Sequence, residues 1–253
     1  MFCEKTIPLM SNDWLVPDWP APPHVRARTT TRLGGMSSAP YAGLNLGDHV
    51  GDVPQAVAAN RMQVVRQLDL PGMPLWLNQV HGIGVVDAVH ATPGCTADAS
   101  FTREASVVCA VLTADCLPLL LCDKAGGTVA AVHAGWRGLA AGVIEAALAS
   151  MQVAPEDIMV WLGPAIGPRA FEVGPEVREA FTSHDPATAE AFQPSPAGRW
   201  LADIYQLARQ RLARQGVTAI YGGDRCTYTE MQYFYSYRRE GVTGRMASLV
   251  WLE

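Results

Sequence analysis

The chain has 253 residues, 49% of them hydrophobic, with 19 basic against 24 acidic residues and a formal net charge of -5. That apolar content supplies a sizeable core, and the lack of any basic run argues against a nucleic-acid footprint or a polybasic membrane anchor. No apolar stretch approaches the roughly 18 residues of a membrane span, and the opening MFCEKTIPLMSNDW is too polar for a secretory signal, so a globular cytoplasmic protein with a small-molecule partner is expected.

Through about Pro23 the chain is rich in Pro and Trp (WLVPDWPAPP) and reads as an irregular lead-in. VRARTTTRLGG alternates as a strand and ends in a glycine pair, after which SSAPYAGLNLGDHVGD forms a long polar loop of the kind that often carries function. Asp52, with Gln55 three residues on, makes a capping-box-like start to a helix reaching about Leu68, whose apolar stripe is Val57, Val64, Val65 and Leu68. Three aliphatic runs follow, PLWLNQVHGIGVVDAV, ASVVCAVLTADCLPLLLCD and GGTVAAVHAGWRG, and predict a sheet core laid down consecutively. Next come a helix from about Gly138 to Met151, the strand IMVWL, the loop GPAIGPRAFEVG, a helix from Pro175 to about Ser183, and a helix over LADIYQLARQRLARQG closed by Gly216. The strands VTAIY and MASLVWL complete the pattern. With no repeat or separating linker, one mixed α/β domain over 1–253 is expected, its layered sheets flanked by helices.

A histidine that ends an apolar run must find partners or lie in a cleft. Of six histidines, His81 in LNQVHG and His133 in VAAVHAG do so, each beside a glycine. Cys116 in LTADCLPLLL shares this setting, whereas Cys109 and Cys122 lie within apolar runs and read as packing. The six cysteines include no C-x-x-C pair, so neither a zinc ribbon nor a redox dithiol is expected, and the thiols read as free. Cys116 stands 35 positions after His81 and 17 before His133, too far apart for a local knuckle. If the three converge in space, two imidazoles and a thiolate match a catalytic zinc site with an open fourth position; the competing reading is a core cysteine with two hydrogen-bonded histidines.

NQVHG, LTADCLP, VHAGWRG, GPAIGP with FEVG, and FYSYRREGVTGRMASLVWL together resemble the YfiH family, filed as laccase-domain proteins or bacterial purine nucleoside phosphorylases. The resemblance runs from roughly residue 25 to the end. It implies a mixed α/β fold similar to the cytotoxic necrotizing factor catalytic domain, and one zinc per chain on His81, Cys116 and His133. Two stretches depart from the family pattern, ADASFT around Asp98 and CTYTEMQYF from Cys226, which leaves pocket shape and the loop after Tyr228 open.

The resemblance also implies action on purine nucleosides, by phosphorolysis or by deamination of adenosine. Deamination needs an acid/base carboxylate beside the zinc; Asp98 and Asp115 are candidates, each equally readable as a cap or turn residue. Phosphorolysis needs a guanidinium for phosphate, and Arg137, four residues after His133 in a Gly-flanked loop, is best placed, with Arg32, Arg61 and Arg238 behind it. Trp136 is a candidate to stack on the purine, or else core, and Asn45 in GLNLG a substrate contact, or else a turn residue. Two other readings stay open: a hydrolase that edits an amide of a UDP-muramyl peptidoglycan precursor, expected to show a wide groove with several arginines, and a non-catalytic module whose zinc is closed by a fourth ligand such as Cys95 or His49. A multicopper polyphenol oxidase is disfavoured, because six histidines with two in suggestive settings cannot furnish both a blue site and a trinuclear cluster.

Overall fold

A strand buried at every position needs cover on both faces. The computed structural model, which describes residues 14–253, contains five such strands among its twelve. In chain order the strands are β1 (Val25–Thr29), β2 (Val85–Asp87), β3 (Ala99–Thr102), β4 (Val108–Thr113), β5 (Leu117–Asp123), β6 (Val129–Ala134), β7 (Ile158–Leu162), β8 (Glu172–Val173), β9 (Phe192–Ser195), β10 (Arg199–Ala202), β11 (Ala219–Gly222) and β12 (Met246–Leu252). The helices are α1 (Pro54–Gln67), α2 (Trp136–Ala141), α3 (Val143–Met151), α4 (Pro175–Thr182), α5 (Ile204–Arg214) and α6 (Tyr237–Glu240). Cys3 and the first half of the lead-in lie outside the described residues.

The central sheet is mixed and six-stranded, ordered β11-β7-β5-β6-β3-β2; a second has the order β1-β12-β4 and a small third the order β8-β10-β9. Alternate side chains of the central strands enter two different cores. Leu117, Leu119 and Leu121 pack with Ile144 and Met151 of α3 and Leu207 and Leu212 of α5. On the opposite face, Leu120 and Cys122 meet Cys109 and Val111 of β4 and Val250 of β12. The outer face of the second sheet, with Leu112 and Leu249, is covered in turn by Leu44, Leu46 and Val64 of α1. The layers therefore run helices, six strands, three strands, helix. A fully buried leucine such as Leu119 contributes about 1.5–3 kcal/mol through removal from water.

Four local expectations are corrected. The aliphatic runs do not build one consecutive sheet: β4 pairs with β12 while β5 pairs with β6 and β7, so the chain changes sheets at the corner 114–116. The helix expected from Gly138 to Met151 is two, starting at Trp136 and broken at Gly142, whose φ of 106° lies where a side chain would be strained. Asp52 does not cap α1, which starts after Val53 without a side-chain cap. Its carboxylate instead accepts from Ser37 Oγ, Asn45 Nδ2 and Val53 N, and so closes the polar loop. Arg199–Ala202, whose last two residues were expected to open a helix, instead forms β10, with Asp203 capping α5 through Gln206 N.

Candidate metal centre

The sheet-changing corner and the β5–β6 ladder set the site. Leu117 pairs with Ala134 and Pro118 with His133, so Cys116, just before β5, faces Gly135, just after β6. Ala99 of β3 pairs with Val132, which sets Asp98 beside His133. His81 arrives on the loop before β2 with φ of 61°, a left-handed conformation uncommon outside glycine. That conformation turns three successive amides inward: Val80 N, His81 N and Gly82 N all donate to the Asp98 carboxylate, at 3.3, 2.9 and 2.7 Å. The same carboxylate accepts from His133 Nδ1 at 2.8 Å, which leaves Nε2 of that ring to face a ligand.

One donor atom each from His81, Cys116 and His133 lie within 4.8 Å of one another, the one such group among the described residues. Cys116 Sγ is 3.7 Å from His81 Nε2. Sulfur and nitrogen sharing a tetrahedral zinc, with bonds of about 2.3 and 2.05 Å, stand about 3.6 Å apart, so the donors fit an ion. Gly135 makes room for them: a Cβ there would come 2.6 Å from His81 Cδ2 and 3.1 Å from Cys116 Sγ. His133 is buried, Cys116 half-buried and His81 exposed, so the group opens outward.

Without an ion, Cys116 and His133 favour a thiolate–imidazolium pair. Burial by itself would push the Cys116 thiol up, but the His133 and His81 imidazoles bring it down to about 6. Burial would lower His133, and the Cys116 thiolate with the Asp98 carboxylate hold it up at about 9. Asp98 loses more to burial than to any single partner, yet His133 and the amides of Gly82 and His81 together keep it below the usual carboxylate range. Cys109, deep in the core without such partners, is pushed up to about 12 by burial.

The donors form one wall of a cavity of about 500 Å³, within the size range of small-molecule sites. Asp115, Trp136, Arg137 and Arg238 of the expected residues line it as well. Arg137 stacks on Trp136 at 4.4 Å and, among the described residues, has no ion pair or hydrogen bond. Asp115, at φ of 92°, is pinned by Thr227 Oγ1 and Arg238 N, which occupy its two carboxylate oxygens at 2.6 and 2.7 Å. Asp98 stays behind the wall, fully buried, as a holder of both histidines.

The structure places Asn45 and Arg61 away from this cavity. Asn45 is fully buried, accepting from Gly47 N and Arg245 N and donating to Asp52, so its amide is consumed in folding the loop. Arg61 lies over Trp76 at 4.5 Å, bonded to Leu46 O and paired with Asp48. Arg32 is engaged by Glu240 and lies over the Tyr235 ring. Gln79, Tyr237 and Arg245 line the cavity without having been expected there, and His49, expected only as a possible fourth ligand, lines it too. Partial burial and Arg245 lower the pKa of His49. His49 lies in the loop GDHVGD with its side chain still 58% exposed, at the rim of the cavity.

Fold and site together define a mixed α/β protein with a three-donor centre in the wall of a small-molecule cavity. The chain belongs to the YfiH family: the family model described as multi-copper polyphenol oxidoreductase laccase matches residues 26–253. It is 56% identical over 243 residues to a Pseudomonas aeruginosa protein named purine nucleoside phosphorylase, across 96% of this chain and 99% of that one. Against the Escherichia coli protein named purine nucleoside phosphorylase YfiH, identity is 55% over 239 residues, across 94% and 98%. Among solved structures, a Neisseria meningitidis protein matches with a TM-score of 0.92 at 53% identity over 95% of this chain and 99% of that one. YlmD from Geobacillus stearothermophilus matches at 0.91 and 31% over 97% and 98%. No helix among the described residues is long and apolar enough to cross a membrane.

Proposed function

We propose that the chain is a zinc-dependent purine nucleoside phosphorylase, holding one zinc on His81, Cys116 and His133 and taking a nucleoside and phosphate as substrates. The observation that carries this reading is the convergence of three donors on a cavity wall that also presents an unpaired cation, Arg137. The relatives named purine nucleoside phosphorylase supply the substrate class. Two imidazoles and a thiolate with an open fourth position suit a catalytic zinc.

Zinc, when bound, supplies Lewis acidity at a substrate oxygen. Arg137 meets phosphate with its planar fork of donors, and Arg238 adds a second positive charge at the same wall. Trp136 and Phe171 give the purine apolar surface. Phosphate oxygen then bonds to the ribose anomeric carbon as the bond to the purine nitrogen breaks. Adenosine deamination is the lesser outcome at this centre, because Asp98 is sealed and both oxygens of Asp115 already accept hydrogen bonds.

A second reading has its own support. A polar trough of about 570 Å³ adjoins the cavity, sharing Trp136, Arg137, Phe171 and Arg238 and adding Arg199. That is the arginine-lined groove an amide hydrolase editing UDP-muramyl precursors requires. A purely structural zinc is disfavoured, since neither Cys95 nor His49 joins the three-donor group.

The deciding experiment incubates zinc-loaded protein with adenosine or inosine, with and without phosphate. Free base released only with phosphate is expected. Ammonia released regardless of phosphate would make deamination the main activity, and cleavage of a UDP-muramyl amide with silence on nucleosides would establish the second reading.

A further inference from the structure

The three donors ride on three chain segments, and each pair of segments is tied by a different device. The β5–β6 ladder ties Cys116 to His133, and Asp98 ties His133 to the His81 loop. Besides the 3.7 Å contact of the two donors themselves, the remaining pair, the His81 loop and the strand that leads into the Cys116 corner, is joined by the side chain of Gln79. Gln79 Oε1 accepts from Leu112 N at 2.7 Å, and Gln79 Nε2 donates to Leu112 O at 2.8 Å.

The geometry points to Gln79 as a positioning residue for the metal centre, its amide standing in for a strand's peptide group on the open edge of β4. The backbone reason is visible in the pairing. Residues 75 to 79 run along the edge of β4 that β12 leaves free, with Leu75 bridged in parallel to Cys109, but the bridge is isolated and no backbone ladder continues it. The side-chain amide of Gln79 carries a donor and an acceptor at the spacing of a peptide unit, so it satisfies Leu112 on both sides and extends the edge by one rung. Gln79 lies two residues before His81, and Leu112 four before Cys116. Cutting this link leaves Cys116 and His133 still joined by their ladder and frees the His81 loop on one side. One N–H and the carbonyl oxygen of Gln79 are engaged in this way, so the side chain is fixed in the wall.

The inference rests on the metal reading above, and the test separates the two. Gln79→Leu removes both hydrogen bonds at similar size; Gln79→Glu keeps the acceptor and sets a carboxylate oxygen against Leu112 O. Zinc affinity is measured by competition with a chromogenic chelator, the metal-free melting temperature by calorimetry, and ligand geometry from the visible absorption of the cobalt-loaded protein. Expected are a roughly 10–100-fold loss of zinc affinity in both variants, as for other outer partners of metal ligands, an altered cobalt spectrum, and a metal-free melting temperature close to wild type. Wild-type affinity and spectrum in Gln79→Leu would overturn the inference alone. A wild-type chain that takes up no zinc would overturn the metal reading and this inference with it. Should Gln79→Leu fold poorly, the Gln79→Glu cobalt spectrum decides: unchanged bands sink the role.

Discussion

Cys116 is chemically distinct from the other core thiols described. Metal-free protein should lose Cys116 to iodoacetamide at neutral pH well before Cys109 and Cys122, because the thiolate is the nucleophile and these two thiols are held at about 12. A lowered pKa places the thiolate form above pH about 6, so the alkylation rate should fall as the pH drops through that value. Peptide mapping of the labelled protein checks it; a rate that rises only above about pH 8.5, the ordinary thiol range, contradicts the charge pair. The donors were legible in sequence as candidates because each is a polar side chain at the tip of an apolar run, the two histidines beside glycine. Asp98 was legible as important, yet its task was not: the sequence offers a carboxylate for acid/base work, and the fold spends all of it on four N–H groups. Asn45 meets its turn reading, since Gly47 N donates to its Oδ1. Gln79 was opaque, because a side-chain amide that bonds backbone far along the chain leaves no periodic trace until the partner segment is in place.

At the scale of elements, the β6–α2 junction decides whether the donors can approach. Gly135 has φ of -63° and ψ of 156°, which alanine adopts without strain, so a substitution there acts through its methyl alone. Gly135→Ala should fold with a wild-type far-UV spectrum but lose zinc, and phosphorolysis should fall by about 100-fold or more, as for other misplacements near 1 Å; zinc retained on metal analysis would show that the wall yields. Gly138→Ala would meet Gly82 O at 2.7 Å and press α2 away from the His81 loop, moving Trp136 and Arg137 with it. The fully buried strands β4, β5, β6, β7 and β12 were readable from their continuous apolar runs, whereas β8, β9 and β10 carry no such run. Their distribution between two sheets was not, because the runs either side of 114–116 look alike and only the distant partners, β12 and β6, separate them.

The whole molecule is closed by its C-terminal quarter. Glu240 accepts from Arg32, Arg239 and Thr243, joining α6 to the loop after β1. Burial alone would raise its carboxyl, but these donors bring it down to about 2. A lowered carboxylate pKa contributes stability that is complete above the unfolded value near 4.5 and is lost as the pH falls toward about 2. The urea midpoint should therefore decline through that window in wild type and less steeply in Glu240→Gln; parallel curves would assign the acid sensitivity elsewhere.

The corner that carries Cys116 is braced from far downstream, by Thr227 and Arg238 on Asp115 and by β12 along β4. On the proposed metal reading, ion capture is therefore expected to follow docking of the tail. On dilution from denaturant, burial of tryptophan should precede removal of zinc from a coloured chelator. A cell that supplies the ion sparingly would thus load finished copies and pass over nicked or half-made ones.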